Sequence, residues 1–167
     1  SVLTVTPDAF LGKDDGPGKR TGLQAFQENG NVSIMAIPGV TAPEVQAALI
    51  AFCEGKKSCF AILDVPVELK KTNDVANFRD MYDSTAMYHP WLEMYDAGSK
   101  RSAYFPPSGA MAGIYARTDI ERGVHKAPAN EVVRGCTGLS CAYNEGEQDI
   151  LNPIGVNLIR AFTGRGI

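Results

Sequence analysis

The chain has 167 residues, a hydrophobic fraction of 44% and a formal charge of -3. That is enough for one domain with its own core, and the balance of acids and bases gives no electrostatic reason for a nucleic acid or an anionic membrane as partner. No apolar run is long enough to cross a bilayer, so the pattern is that of a globular chain.

Residues 1–6, SVLTVT, alternate apolar and polar side chains and predict a half-buried strand ended by Pro7. A chain that opens on such a strand, without an initiator Met or a signal peptide, predicts an excised fragment. The following GKDDGPGKRTG sets Gly18 beside Lys19, but a phosphate-binding loop needs glycine where Lys13 stands and Ser or Thr where Arg20 stands. A glycine-rich turn leading into a helix capped by Thr21 is the expectation.

NVSIMAIPG predicts a short buried strand, and Thr41 and Glu44 then stand in capping-box spacing. Val45, Ala48, Leu49 and Phe52 recur at i, i+3, i+4 and i+7 and give the next helix one apolar stripe. CFAILDV predicts a second buried strand, so the strand–helix–strand unit implies parallel pairing through a right-handed crossover. Asp64 falls near the carboxyl end of that strand, where open α/β sheets bind ligands. It is the leading candidate for a catalytic acid, but with no partner beside it in sequence the favoured reading is structural, capping a loop or meeting a basic group at the strand end.

A helix over about 73–83 is expected to bury Val75, Phe78 and Tyr82. AMYHPWLEMYD predicts a strand in which Pro90, lacking an N–H, demands an edge position or a bend, with Trp91 anchoring it to the core. His89 is either a packed or capping residue or a base. SAYFPPS predicts a short further strand stopped by Pro106 and Pro107, after which Ser108 caps the helix GAMAGIYARTDIERG and Gly123 ends it. Gly109, Ala110, Ala112 and Gly113 make one side of this helix small enough for close approach by the sheet or by another subunit.

The segment VHKAPANEVVRG carries His125, Lys126, Glu131 and Arg134 but no nucleophile, and neither G-x-S-x-G nor a Ser/His/Asp context occurs. Asn144 and Glu147 open a short acidic helix, NEGEQDIL, and VNLIRAF predicts the last strand. The cysteines fall as Cys53 with Cys59 and Cys136 with Cys141, too widely spaced for the usual paired zinc ligands. Free thiols are expected. A Cys136–Cys141 bridge is the alternative, which a reducing cytoplasm would keep open.

Five pieces in order, GPGKRTGLQAF, SIMAIPG, HPWLEMYD, PPSGAMAGIYARTDIERGVHKAPANEVVRG and ILNPIGVNLIRAFTGRGI, resemble the core of contractile tail sheath proteins. That family spans phage tails, R-type bacteriocins and related contractile injection systems. The resemblance implies an α/β fold, a largely parallel sheet flanked by helices, similar to the family's subtilisin-like core domain. The Ser and His motifs of that protease fold are absent, so the resemblance implies no enzyme and no catalytic, metal or cofactor site.

It further implies a single core domain over 1–167, without the N-terminal region and without the C-terminal domain and linking arms of the family. Such subunits polymerise with other sheath subunits in six-fold stacked rings around an inner tube protein, between baseplate and tail terminator. Contraction then drives the tube through a target envelope. Neither nucleic acid nor membrane is an implied partner, and the fragment alone is expected to be monomeric. The implied location is the virion tail or a phage-like particle assembled in the bacterial host cytoplasm. Arg117, Arg122, Lys126 and Arg134 are candidate subunit or tube contacts, against the reading of a solvated charged face. Two other functions stay open: a small α/β hydrolase using Asp64 with His89 or His125, and a non-contractile baseplate module.

Overall fold

A computed structural model of the chain describes residues 5–82, 85–123 and 128–167. Its centre is a four-stranded, all-parallel sheet in the order β1-β2-β3-β7, formed by Ile34–Ala36, Phe60–Asp64, Ala86–His89 and Val156–Leu158. The connection from β1 to β2 is helix α2 (Pro43–Gly55), and that from β2 to β3 is α3 (Thr72–Arg79). Parallel neighbours need such crossovers, and helices on both faces explain why FAILD reads as a continuous apolar run rather than an alternation.

The sheet divides two apolar clusters. Leu49 and Cys53 of α2, Val75 and Phe78 of α3 and Leu151 of α5 (Glu145–Leu151) pack with Ala61, Leu63, Met87 and Val156 on one face. On the other, Met111 and Ile114 of α4 (Ser108–Arg122) pack with Ile62, Leu92 and Val133. The period-2 alternation of Ala61, Ile62 and Leu63 assigns successive side chains of β2 to opposite layers.

The remaining three strands form a separate antiparallel sheet, β5-β4-β6, from Arg101–Phe105, Leu92–Asp96 and Cys136–Leu139. The run expected as one strand over AMYHPWLEMYD is therefore two. Pro90 follows a cis peptide bond, and the chain leaves the parallel sheet there and enters the antiparallel one. The bend expected at Pro90 is present, but β3 lies inside the sheet, because Pro90 stands after its last paired residue and costs the ladder no donor. SAYF likewise pairs with β4 rather than joining the main sheet.

Other local expectations are revised at the caps. Val5 and Thr6 are outside any strand, residues 1–4 lie outside the described residues, and Pro7 begins helix α1 (Pro7–Leu11) rather than ending a strand. Proline is well suited to a first helical position, where its missing N–H has no intrahelical partner to lose. Thr21 precedes a 3-10 helix, Gly22–Phe26, and its hydroxyl accepts from the Lys13 N–H at 3.0 Å instead of capping. Gly12, at φ 69°, lets this turn close, since a Cβ there would overlap the Thr21 carbonyl.

The Thr41/Glu44 capping box does not form. Pro43 fixes the first turn of α2, so the N-cap falls on Ala42, which has no side-chain acceptor. The box at Asn144 and Glu147 does form, with reciprocal bonds of 2.9 and 2.8 Å. Val156–Leu158 is the only part of VNLIRAF in the main sheet. No helix among the described residues is long and apolar enough to cross a membrane.

Candidate functional site

Helix α4 begins without a local cap, because its N-cap residue is Pro107, which has neither an N–H nor a side-chain acceptor. Asp64, the last residue of β2, supplies what is missing. Its Oδ1 accepts from the Ser108 N–H at 2.8 Å, and its Oδ2 accepts from the Ser108 hydroxyl at 2.7 Å and from the Gly39 N–H at 3.1 Å. A carboxylate at the start of a 15-residue helix meets the positive end of the helix dipole. Asp64 thereby ties β2, the β1–α2 loop and α4 into one junction, and Ser108, expected as the cap, is a donor to it.

Asp64 and Ser108 are both buried. Burial pushes the Asp64 carboxyl above its ordinary range, and the bonds from the Ser108 hydroxyl and the two backbone N–H groups oppose that. The carbonyl of Asp64 is also engaged, accepting from the buried Gln46 amide at 3.0 Å. The gap beside Asp64, lined by Ile37, Val40, Gln46 and Leu49, has no room even for a water molecule.

His89 ends the neighbouring strand β3 and is fully buried. Its Nε2 lies 2.9 Å from the Tyr143 hydroxyl and 3.6 Å from the Cys141 Sγ, and Tyr143 in turn donates to the Lys70 carbonyl at 2.9 Å. Burial holds the imidazole down to about 4, so it is neutral at pH 7. Asp64 and His89 thus end adjacent strands but belong to separate hydrogen-bond sets. The convergence that a hydrolase built on this pair would need is not found; His125, the other histidine of that reading, lies outside the described residues.

Two of the four candidate contact residues, Arg117 and Arg122, lie in the C-terminal half of α4. Arg117 and Arg122 share Glu131, at 3.7 and 3.3 Å, and Arg117 donates to the Val132 carbonyl at 3.3 Å. The two arginines stand five residues apart on α4 and clamp the 128–133 segment against it. Arg134 is exposed and stands outside this pair of bridges; Lys126 lies outside the described residues. An amphipathic cleft of about 650 Å³ opens beside the clamp, walled by Tyr88, Tyr115, Glu131, Asn157, Arg160 and Phe162. The two tyrosine hydroxyls satisfy each other at 3.0 Å, and Arg160 lies over the Phe162 ring at 5.1 Å. Neither Asp64 nor His89 reaches it.

Glu131 and Tyr143 are the residues that sequence reasoning missed as organisers. Glu131 carried one signal, since it follows two arginines spaced five apart on a helix; Tyr143 carried none. Among the described residues no group of acids, histidines and cysteines is arranged to hold a metal ion.

These features define a three-layer α/β core whose buried acid and histidine serve strand and helix ends. Residues 12–167 match the phage tail sheath protein central domain, and the chain belongs to that family. It is 29% identical over 140 residues to a Pseudomonas aeruginosa (strain UCBPP-PA14) protein described as a prophage major tail sheath protein, covering 79% of this chain and 36% of that one. It is 26% identical over 170 residues to the tail sheath protein of Escherichia phage P2, covering 94% and 42%. Among solved structures, the sheath complex of an extracellular contractile injection system, PVC, in its contracted state superposes with a TM-score of 0.68 at 30% identity, covering 81% of this chain and 38% of that one. The chain therefore spans well under half the length of these relatives.

Proposed function

We propose that this chain is the core domain of a longer, non-enzymatic sheath subunit, which assembles with copies of itself into six-fold stacked rings around an inner tube. The observation that carries this reading is the family match across residues 12–167, joined to a contracted sheath as a structural neighbour. In this reading the subunit contacts a baseplate at one end and a terminator at the other. It assembles in the bacterial host cytoplasm and resides in a virion tail or phage-like particle. No nucleotide is consumed, because the work of contraction comes from contacts exchanged between two packings of the assembly. The isolated core is a monomer, since the arms that would link neighbours belong to the flanking regions.

The polar groups that resemble a catalytic set are closed on structural partners, while α4 carries its charged residues on the outside, with Ile120 86% exposed among them. Electron microscopy of the uncut gene product expressed alone tests the reading: tubes or stacked rings are expected, and dispersed monomers with tube protein added would overturn it. Light scattering on the 167-residue chain should give a monomer. Charge reversal at Arg117, Arg122 and Arg134 in the full-length protein then separates contact residues from a solvated face; unchanged assembly and contraction would remove them as contacts.

A non-contractile baseplate module is the second reading, favoured by a structural neighbour in the baseplate of the anti-feeding prophage, with a TM-score of 0.63 at 33% identity. Single rings that never extend into tubes would favour it.

A further inference from the structure

Two of the four cysteines meet. Cys53 sits in the last turn of α2, Cys59 stands directly before β2, and their Sγ atoms are 3.1 Å apart. The turn between them is held from several sides. Lys56 N–H donates to the Phe52 and Cys53 carbonyls at 3.2 and 3.1 Å, and Cys59 N–H donates to the Lys56 carbonyl at 2.8 Å. The Lys56 ammonium is bound by the carbonyls of Phe26 and Asn29 at 2.8 and 2.7 Å. Phe60 N–H then enters the parallel ladder on the Ser33 carbonyl at 2.9 Å. Both cysteine backbones are thus fixed by a helix end and a strand start, and a bond of about 2.05 Å between the sulfurs asks for a shift of about 1 Å.

Cys136 and Cys141, whose bridge is the alternative to free thiols, have separate partners. Cys136 donates to the Gly138 carbonyl at 3.1 Å, and Cys141 faces His89. All four are free thiols in this structure.

We propose that Cys53 and Cys59 are a reversible dithiol–disulfide site that exchanges with small-molecule disulfides such as oxidised glutathione. Cys59 is the more exposed of the two and makes the first attack. It gives its proton to solvent, and its sulfur displaces one glutathione thiolate from the glutathione disulfide, leaving a mixed disulfide. Cys53 then loses its proton to solvent and attacks the Cys59 sulfur, releasing the second glutathione. The two protein thiols lose two electrons, and the glutathione disulfide gains them and two protons. Burial, with the neighbouring thiol, pushes Cys53 up to about 12, which suits it to the second, intramolecular attack rather than the first. The product is a staple between the exit of α2 and the entry of β2. It is a property of the core itself and does not rest on the assembly reading.

The test equilibrates the purified chain with glutathione at stepped oxidised-to-reduced ratios, alkylates the remaining thiols and digests with trypsin. Cleavage after Lys56 and Lys57 puts Cys53 and Cys59 on separate peptides, which stay joined only through a disulfide. Joined peptides, and an intact chain lighter by about 2 Da for the two hydrogens lost, are expected in the wild type and in the Cys136→Ser/Cys141→Ser double variant. Cys59→Ser should abolish the linked species. Three results would overturn the proposal: thiols that all remain alkylatable at a ratio that oxidises the denatured chain, a glutathione adduct on Cys59 that never resolves, or a bridge between Cys136 and Cys141 instead.

Discussion

The two sheets use five-residue strands for opposite ends. In β2, Ala61 to Asp64 are all buried, between helices on both faces; in β5, only Ala103 is even half-buried, and Tyr104 is 51% exposed. Aromatic residues favour both as strands, Phe60 in β2 and Tyr104 and Phe105 in β5, so propensity alone does not say which is buried. Covering does. The parallel sheet is buried on both faces, whereas the antiparallel sheet joins the core through one side of β4 and β6, with Leu92 1% exposed, and leaves β5 at the surface.

The largest effect should come from truncation within the covered sheet. Met87 is fully buried at the centre of β3, and Met87→Ala should cost about 2–5 kcal/mol through lost transfer and cavity terms, read as a lower midpoint in urea denaturation with an unchanged m-value. A loss below about 1 kcal/mol would break the comparison.

Acid should act next, through His89. Its folded value of about 4 lies below the ordinary 6.5, so the unfolded chain takes up the proton first. Stability is fully present above pH 6.5 and falls by about 3 kcal/mol as pH drops toward 4. Asp64, held above its ordinary value of 3.8, works in the opposite sense and offsets part of the loss at the acid end. Denaturation midpoints from pH 7 to 4 check this, and His89→Gln should flatten the profile.

Ser108→Ala removes the hydroxyl donor to Asp64 while leaving both backbone donors in place, and should cost about 1–2 kcal/mol. Tyr104→Ala on β5 should change stability by less than about 0.5 kcal/mol. A larger loss there would mean that β5 contributes to folding after all, and an assembly defect without one would mark it as a contact surface.

How much of this was legible in sequence depended on whether the cause was local. The strands at 34–36 and 60–64, the buried stripe of α2, the core side of α3 at Val75 and Phe78, and the Asn144 cap all follow from spacing within one turn or one strand, whereas the helix expected to run to about 83 ends at Arg79 and leaves buried Tyr82 beyond it. Asp64 was correctly singled out by its strand-end position, but its partner lies 44 residues away, and nothing in SGAMAGIYAR says that an acid from elsewhere will cap it. The division of 86–96 between two sheets was visible only as a proline, since a bend and a change of sheet look alike in sequence. The near approach of Cys53 and Cys59 depended on how tightly the α2–β2 turn closes, which spacing alone leaves open.

The passage from one sheet to the other has a mechanical meaning. Only Pro90 and Trp91 separate β3 from β4, a spacer with a reach of at most about 7 Å per two residues. Trp91 is moreover pinned at both ends, its indole N–H donating to the Val65 carbonyl at 2.8 Å and its backbone N–H to the Ser140 hydroxyl at 3.0 Å. A pull on the small sheet therefore arrives at the central strand of the core without slack, as through a short rigid coupling rather than a tether.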